Sequence, residues 1–306
     1  MRAAYIEEYG GPANLKVGER ADPTPAEGEV LIRNRAAGVG IWDVKFVAGM
    51  FGRPPLPMIP GFEAAGIVES APAGAAVGVG DEVYAQLGTR FGGYAEHSVA
   101  AANHVAPKPV STSFEEAVGL VVGAGTAYEG LVDRAQVQPG EAVLITAASG
   151  GVGTSALQIA ASQSARVMAV ASSANHALLR ELGAAETFDY QDARWVDQVR
   201  SVAPDGVDVL FDATGDETRD RAVAAVRGGG RAVFIVGPPP DVPRGITSIA
   251  FSADPTTERL RAIAQLVDSG QLRPLVDSTY SLDEAAQALA HVATRHSKGR
   301  VALRIG

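Results

Sequence analysis

A short glycine-containing segment separates a predicted strand from a predicted helix. Residues 142–146 are mostly apolar, residues 147–153 read AASGGVG, and residues 151–163 place apolar side chains on one helical face. Gly150 lacks a Cβ, so the backbone can approach a pyrophosphate closely, and the helix N-terminus offers free amides to the phosphates. This order predicts a dinucleotide-binding turn, although Ala148 replaces the usual first glycine. The alternative is a turn that only joins strand to helix.

The loop after the second predicted strand bears on the choice between NAD and NADP. An NAD site usually has an Asp or Glu about 20 residues after the glycines, which binds the ribose 2′-hydroxyl. Residues 170–175 (VASSAN) contain no acid, whereas the Ser172 hydroxyl and the Asn175 amide can bind a 2′-phosphate without repelling it. We therefore expect NADP(H), with a cation supplied from elsewhere in the chain. The alternative is that Ser172 and Asn175 only cap the next helix.

The composition argues against several classes of protein. The 306 residues, of which 46% are apolar, suit about two domains. The absence of cysteine excludes disulfides, thiolate metal ligands and a cysteine nucleophile. The net charge of −9, without a basic run, argues against a nucleic-acid partner. No signal-peptide pattern and no apolar stretch of about 18 residues occurs, so we expect a cytoplasmic protein without a membrane partner.

The pattern of predicted elements divides the chain. The first third contains short β-like runs separated by Gly and Pro, for example residues 94–99. Ser113 and Glu116 form a capping-box pattern that predicts a helix start. From residue 141 onward, strands alternate with helices, which predicts a parallel sheet with helices on both faces. The last apolar run, residues 300–305, needs a sheet to join, and we assign it to the sheet of the first domain.

Several motifs, in the same order, resemble those of the medium-chain dehydrogenase/reductase superfamily. Besides 147–153, they are PGFEAAGIV at 60–68, GGYAE at 92–96, GTAY at 125–128 and DATG at 212–215. Within that superfamily, the whole chain resembles the zinc-independent, zeta-crystallin-like quinone oxidoreductases. The resemblance implies an α/β fold with a discontinuous, mostly-β GroES-like catalytic domain at 1–117 and 255–306. It also implies a Rossmann domain with a doubly wound parallel sheet at 118–254.

The chain departs from the zinc-dependent members of the superfamily at the metal-ligand positions. Gly40-Ile41 stands where they have Cys-His, and Gly61-Phe62-Glu63 stands where they have Gly-His-Glu. The five histidines show no ligand spacing with a carboxylate, so we expect no metal site. Without a Lewis acid, simple alcohol dehydrogenation is not expected. A quinone or an α,β-unsaturated carbonyl needs less activation, because its π-system spreads the charge that develops on hydride addition.

The resemblance also implies which residues contact NADP(H). They are Ile41, Trp42 and Asp43 at the nicotinamide side of a cleft; Thr126 near the nicotinamide ribose; Ser149, Gly150, Gly151 and Val152 in the glycine turn; Ser172, Asn175 and Tyr190 around the adenosine ribose and its 2′-phosphate; Thr214; Val236, Gly237 and Phe251 beside the nicotinamide; and Arg295 as the missing cation. Tyr190 and Phe251 have an alternative interpretation as ordinary core aromatics.

The catalytic residues cannot be assigned from the sequence, but four residues are candidates to form the substrate cleft: Trp42, Lys45, Phe51 and Arg53. Relatives often have tyrosines at the positions of Lys45 and Phe51. Trp42 and Phe51 are suited to stacking on a flat ring. Lys45 either attracts a developing enolate or points into solvent.

Three functional hypotheses remain. The first is an NADPH:quinone oxidoreductase or enone reductase that transfers hydride from NADPH to a small-molecule acceptor. The second is an enoyl-thioester reductase of the polyketide type, and the third is a low-turnover NADPH-binding protein with a redox-sensing or structural role. The predicted strand near residues 246–251 would form an edge of the nucleotide-binding sheet. Relatives pair such edges across a two-fold axis, which implies a homodimer.

Overall fold

The chain forms two compact units in a computed structural model that describes all residues from 1 to 306. The first unit consists of residues 1–122, 255–269 and 274–306, and the second of residues 123–254 and 270–273. Relative to the expected domain bounds, the first unit continues to residue 122, and the short segment 270–273 belongs to the second. None of the helices combines the length and the apolar character that a membrane crossing requires.

The chain contains fifteen strands and eight α-helices. The strands are β1 (Arg2–Tyr5), β2 (Lys16–Glu19), β3 (Glu29–Val39), β4 (Glu63–Ser70), β5 (Glu82–Gln86), β6 (His97–Ala101), β7 (Val105–Pro107), β8 (Ala142–Ile145), β9 (Arg166–Ala171), β10 (Glu186–Asp189), β11 (Val207–Asp212), β12 (Val226–Phe234), β13 (Thr247–Ala250), β14 (Val276–Ser281) and β15 (Arg300–Arg304). The helices are α1 (Ile41–Val47), α2 (Phe114–Tyr128), α3 (Gly153–Ser162), α4 (His176–Glu181), α5 (Trp195–Val202), α6 (Glu217–Val223), α7 (Thr257–Asp268) and α8 (Ala285–Ala293).

Strands from both ends of the chain form the main sheet of the first unit. Its order is β14-β15-β3-β4-β5-β7, and β6 pairs with β3 outside this path. β15 runs antiparallel to β3, with Val301 opposite Val39 and Leu303 opposite Ala37. This pairing confirms that the last apolar run joins the sheet of the N-terminal region. α8 packs on β15, β3 and α1, so the C-terminal segment also supports the helix that follows β3.

The second unit is built on a six-stranded parallel sheet with the order β10-β9-β8-β11-β12-β13. Leu144, Val170, Leu210 and Phe234 on its strands are at most 1% exposed, as expected of a parallel sheet that is covered on both faces. The strand order reverses between β8 and β11, the position at which such sheets bind nucleotides. The predicted fold class, a doubly wound parallel sheet with a mostly-β partner, is confirmed. β13 lies at the edge predicted for residues 246–251.

Two local predictions had different outcomes. The capping box at the start of α2 is confirmed, since the Glu116 amide donates to Ser113 Oγ (3.2 Å) and the Ser113 amide donates to Glu116 Oε2 (2.9 Å). The strand expected from residue 94 begins only at His97, because Ala95 makes no more than an isolated bridge with Ala3.

A π-helix, Glu129–Arg134, continues α2 and was not predicted. Gly130 lies against the Phe211 ring, and a Cβ at this position would be 2.7 Å from Phe211 Cε2. The wider helix therefore accompanies a close contact between the helix backbone and β11. This constraint comes from tertiary packing, which the local periodicity of the sequence does not express.

Candidate functional site

Residues predicted to contact a dinucleotide follow the carboxyl ends of the six parallel strands. In sheets of this kind, ligands bind beyond those ends. Across the sheet, they are Tyr190 after β10, Ser172 after β9, Ser149 after β8, Thr214 after β11, Val236 after β12 and Phe251 after β13. The topology thus gathers residues from six separate segments of the chain along one edge.

The turn between β8 and α3 leaves no room for a side chain at its last glycine. A Cβ on Gly153 would lie 2.2 Å from the carbonyl oxygen of Ala147, whose backbone is left-handed with φ 48°. The Gly150 amide donates to the same oxygen at 3.0 Å and closes the turn. The Thr154 amide, at the start of α3, donates to Gly150 O at 3.0 Å, and the turn lies at the positive end of the α3 dipole. This backbone geometry fits a pyrophosphate.

A buried carboxylate at the end of β11 fixes the segment beside the turn. Asp212 is fully buried, and its Oδ1 accepts hydrogen bonds from the hydroxyls of Thr146 (2.6 Å) and Thr214 (2.7 Å). Its Oδ2 accepts the Gly215 amide at 3.1 Å. A Cβ on Gly215 would lie 2.6 Å from Val236 Cγ1. Asp212 therefore positions Thr214 and Gly215, and Gly215 lies close to Val236.

Asn175 connects the loops that follow β8 and β9. Its Nδ2 donates to Ser149 Oγ at 3.1 Å and to Ser172 Oγ at 3.2 Å. Its Oδ1 is buried and has no hydrogen-bond partner, a condition that costs about 1–3 kcal/mol. A ribose hydroxyl is a donor that would satisfy this oxygen. The Asn175 group, defined as Ser149, Ser172 and Asn175, therefore fits the ribose end of a dinucleotide.

A charged residue that sequence reasoning missed lies beside the Asn175 group. Asp189, at the end of β10, accepts the Gln191 amide at 3.0 Å and the Ser173 amide at 3.1 Å. These backbone hydrogen bonds hold the pKa of Asp189 below its ordinary value. Asp189 lies outside residues 170–175, and the pairing of β10 with β9 brings it beside them. Residues 170–175 themselves contain no acid, but strand pairing supplies one from β10.

The remaining predicted residues of the second unit differ in accessibility. Tyr190 is 43% exposed, so its interpretation as a core aromatic is wrong. Thr126 is buried within α2. The Phe251 ring packs on Gly130, with the Arg134 guanidinium 5.8 Å from its centroid. Among these residues, Tyr190 is the one whose side chain is open to a ligand.

In the first unit, α1 and the segments around it form an aromatic patch, which consists of Trp42, Phe46, Phe51, Phe62 and Phe91. Trp42 and Phe51 meet edge to face with centroids 4.8 Å apart, and the centroids of Phe46, Phe62 and Phe91 lie 4.9–5.1 Å from one another. Trp42 is 38% and Phe51 39% exposed, whereas Phe91 is 8% exposed. The patch runs from the surface into the core, and its exposed end can stack on a flat ring.

Lys45 lies on the exposed end of the aromatic patch. Its Nζ is 4.9 Å from the Trp42 ring centroid and 5.1 Å from that of Phe51. Partial burial and the positive charge of Arg295 lower the pKa of Lys45. Lys45 therefore lies against the two rings, and its attraction for a developing enolate stays a prediction. Arg53, the fourth substrate-cleft candidate, is exposed.

Asp43 lies beneath α1. It is 1% exposed, and its Oδ2 accepts the Gly40 amide at 2.8 Å, which caps the helix. On this short helix Trp42 is exposed while the Asp43 side chain is buried, and a role of Asp43 at the nicotinamide side of a cleft stays a prediction. Ile41 is partly buried and packs against the core of the unit.

Asp43 shares its buried surroundings with an ion pair. Glu63 is 2% exposed, pairs with the Arg300 guanidinium and accepts the Val122 amide at 3.3 Å. Burial raises the pKa of Glu63, and the charge of Arg300 opposes that rise. Burial also raises the pKa of Asp43 to about 7, with a smaller contribution from Glu63 and opposition from the Gly40 amide. Asp43 thus changes charge near neutral pH.

The positions of the zinc ligands in zinc-dependent relatives serve other contacts. The Gly40 amide binds Asp43, and the Phe62 ring packs 4.9 Å from Phe46 and from Phe91. The side chains nowhere gather three or more His, Asp or Glu into a group that could hold a metal ion. The residues present do not fit zinc.

Arg295, the predicted phosphate cation, belongs to the first unit, whereas the Asn175 group belongs to the second. Within the first unit, the charge of Arg295 acts on Lys45. Its contact with a 2′-phosphate stays a prediction.

A doubly wound sheet with a glycine turn at its switch point, in one chain with a mostly-β unit built from both chain ends, defines the medium-chain dehydrogenase/reductase class. The family description "Alcohol dehydrogenase GroES-like domain" matches residues 26–110, and "Zinc-binding dehydrogenase" matches residues 182–303. Quinone oxidoreductase of Rattus norvegicus is 34% identical, over 98% of this chain and 96% of the relative. The chain belongs to the quinone oxidoreductase family.

Other similar proteins represent more than one cofactor and acceptor. The chloroplastic NADPH-dependent alkenal/one oxidoreductase of Arabidopsis thaliana is 32% identical, over 98% of this chain and 78% of the relative. The structure of an NAD-dependent alcohol dehydrogenase has a TM-score of 0.92 and 30% identity, with 100% of both chains covered. That of CurK enoyl reductase has a TM-score of 0.89 and 27% identity, with 100% of this chain and 99% of the other covered.

Proposed function

We propose that this chain is a reductase that uses NADPH to reduce a quinone or an α,β-unsaturated carbonyl. The observation that carries the proposal is the turn between β8 and α3, where Gly153 and the Asn175 group fit a pyrophosphate and a ribose. The names of the quinone and alkenal/one oxidoreductases support the choice of acceptor. The exposed rings of Trp42 and Phe51 support it as well, because they suit a flat conjugated molecule.

The chain's own contribution to the reaction is to bind and orient the reactants. When bound, a reduced nicotinamide supplies a hydride, and the acceptor gains that hydride and a proton from water to give a hydroquinone or a saturated carbonyl. Trp42 and Phe51 hold the flat acceptor, and the positive charge of Lys45 favours the oxyanion that develops on it.

The proposed preference for NADPH over NADH rests on the Asn175 group. Its two serine hydroxyls, which accept hydrogen bonds from Asn175 Nδ2, can donate to a 2′-phosphate, and no carboxylate of the group would repel the phosphate. The negative charge of Asp189, which lies beside the group, weakens this preference. Calorimetric titration tests the choice. We expect NADPH to bind about tenfold more tightly than NADH, and equal affinities would contradict the proposal.

A steady-state assay tests the reaction. NADPH oxidation is followed with 1,4-benzoquinone, 9,10-phenanthrenequinone and an alkyl enone as acceptors, and we expect turnover with at least one of them. Micromolar NADPH binding without oxidation by any acceptor would contradict the proposal. That result would favour a low-turnover NADPH-binding protein instead.

Reduction of an enoyl thioester is the second candidate, and the similarity to CurK enoyl reductase favours it. The same assay distinguishes the two when crotonyl-coenzyme A is added to the set. A kcat/KM for the thioester above that for every quinone and enone would favour the second candidate.

We also propose that the chain forms a homodimer through β13. This strand pairs only with β12, so its other edge presents unpaired backbone amides and carbonyls. Pairing of two such edges across a two-fold axis would satisfy them. Sedimentation equilibrium is expected to give twice the mass of the chain, and a monomer would contradict the proposal.

A further inference from the structure

Lys45 lies at the exposed end of the aromatic patch, and the positive charge of Arg295 acts on it. Lys45 contacts the rings of Trp42 and Phe51, and neither Lys45 nor Arg295 forms an ion pair. The chain has 35 acidic and 26 basic residues, so nearby carboxylates are plentiful, and many exposed cations such as Lys16 have one. Leaving two neighbouring cations unpaired is unfavourable for the free protein, and an anion would relieve it.

The backbone at Arg295 supports a specific role for its side chain. Arg295 follows α8 in the left-handed conformation, with φ 59°, and its amide donates to Val292 O at 3.0 Å. At the end of a helix this conformation usually belongs to glycine, because a Cβ strains it. The chain thus has an arginine where the backbone alone would favour glycine. α8 ends two residues before Arg295 and packs on α1, the helix that carries Lys45.

Aromatic surface and positive charge together select a ligand chemistry. Trp42 and Phe51 offer rings for stacking, whereas Lys45 and Arg295 attract negative charge. We propose that Lys45 and Arg295 form an anion subsite that selects flat aromatic acceptors carrying a carboxylate or sulfonate beside the reducible ring. This inference rests on the proposed function, because it assumes that the bound aromatic molecule is the acceptor that is reduced.

The two tryptophans of the chain provide a binding assay that needs no turnover. Trp42 is 38% exposed in the patch, while Trp195 is fully buried in the second unit. In a Trp195→Phe background, all tryptophan fluorescence comes from Trp42. The probes are anthraquinone-2-sulfonate and 2-(hydroxymethyl)anthraquinone, which share one ring system and differ in charge. Each is titrated in the absence and in the presence of saturating NADP⁺.

We expect the sulfonate to bind at least tenfold more tightly than the neutral probe. Lys45→Gln and Arg295→Gly should each reduce that ratio about fivefold, with the neutral probe's Kd unchanged within twofold. Arg295→Gly should also leave the thermal midpoint unchanged or raised, because glycine suits the left-handed backbone. Lys16→Gln, on an exposed lysine paired with Glu7, is the charge-matched control and should change neither affinity.

Equal affinities for the two probes, or a ratio that survives Lys45→Gln, would overturn the inference. Competitive displacement of the sulfonate by NADP⁺ would overturn it too, because the cations would then serve the cofactor's phosphates. The proposed function fails separately: sulfonate binding without NADPH oxidation would contradict the reductase and leave the subsite standing. Quinone reduction with equal affinities for the two probes would support the reductase and contradict the anion subsite.

Discussion

The two compact units hold their candidate site residues by different means. In the second unit, the residues follow strand ends, and backbone contacts set the geometry, as at Gly153 beside the Ala147 carbonyl. In the first unit, the residues stand on one short helix, α1, which a buried carboxylate caps next to the Glu63–Arg300 pair. The second unit should therefore be sensitive to added volume, and the first to lost or altered charge.

Adding one methyl group at Gly153 gives the largest expected effect. Gly153→Ala would place a Cβ 2.2 Å from Ala147 O, so the turn must open. We expect NADPH affinity, measured by calorimetry, to fall by more than about 100-fold, equivalent to about 3 kcal/mol. Gly228→Ala is the matched control in the same unit, because nothing lies within 4 Å of its added Cβ. If Gly153→Ala and Gly228→Ala both bound NADPH with wild-type affinity, sensitivity to added side-chain volume would not distinguish the second unit from the first.

Neutralising Glu63 tests the importance of charge in the first unit. Glu63→Gln removes the carboxylate that pairs with the Arg300 guanidinium, and loss of one partner of a buried pair typically costs about 3–5 kcal/mol. Urea unfolding monitored by Trp42 fluorescence in a Trp195→Phe background reports on this unit. Glu7→Gln, which removes an exposed pair with Lys16, should leave the midpoint unchanged. Equal effects of the two substitutions would show that burial of the charge is unimportant.

Because the pKa of Asp43 is raised, we expect the stability of the first unit to depend on pH. The glycine turn of the second unit contains no titratable side chain. The folded pKa of Asp43, about 7, lies above its ordinary value of 3.8, so the folded chain binds the proton more tightly than the unfolded chain. The stabilisation is complete below pH 3.8 and is lost as pH rises to about 7, at about 1.4 kcal/mol per pH unit.

Asp43→Asn removes this term. Between pH 5 and pH 7, the stability of the variant relative to the wild type should rise by about 2–3 kcal/mol and then level off. Urea unfolding at several pH values measures the difference. A difference independent of pH would mean that Asp43 is charged throughout the range.

The smallest expected effect concerns Asp189. Asp189→Asn removes a negative charge beside the Asn175 group and keeps an acceptor for the Ser173 amide. Calorimetric titration should show a rise in NADPH affinity of about threefold and little change for NADH, because only NADPH carries the 2′-phosphate. A parallel change for both dinucleotides would mean that Asp189 acts on the turn rather than on the phosphate.

The features that could be predicted from the sequence have local causes. The turn at residues 147–153 could be predicted because its glycines and the apolar strand before it can both be read from the local sequence. The Ser113–Glu116 capping box likewise depends on residues three positions apart. Both predictions were confirmed as structural elements, and the parallel sheet followed from the regular alternation of strands and helices.

The features that were missed depend on distant residues. The burial of Asp43 could not be predicted, because nothing in its sequence neighbours shows that α1 turns this side chain inward toward Glu63 and Arg300. Asp189 was overlooked, because strand pairing, not sequence order, brings it to Ser173. The neighbourhood of Lys45 and Arg295 joins residues from opposite ends of the chain, which no local pattern relates.

The place of β15 in the sheet beside β3 has a consequence for biosynthesis. A ribosome makes all six strands of the second unit before it reaches β14 and β15, the last strands of the first unit's sheet. Until then β3 lacks its neighbour on one side, and α1 lacks the support of α8. Domains generally fold as units during synthesis. The nucleotide-binding sheet can therefore assemble on the nascent chain, whereas the unit that begins first in the gene must finish last.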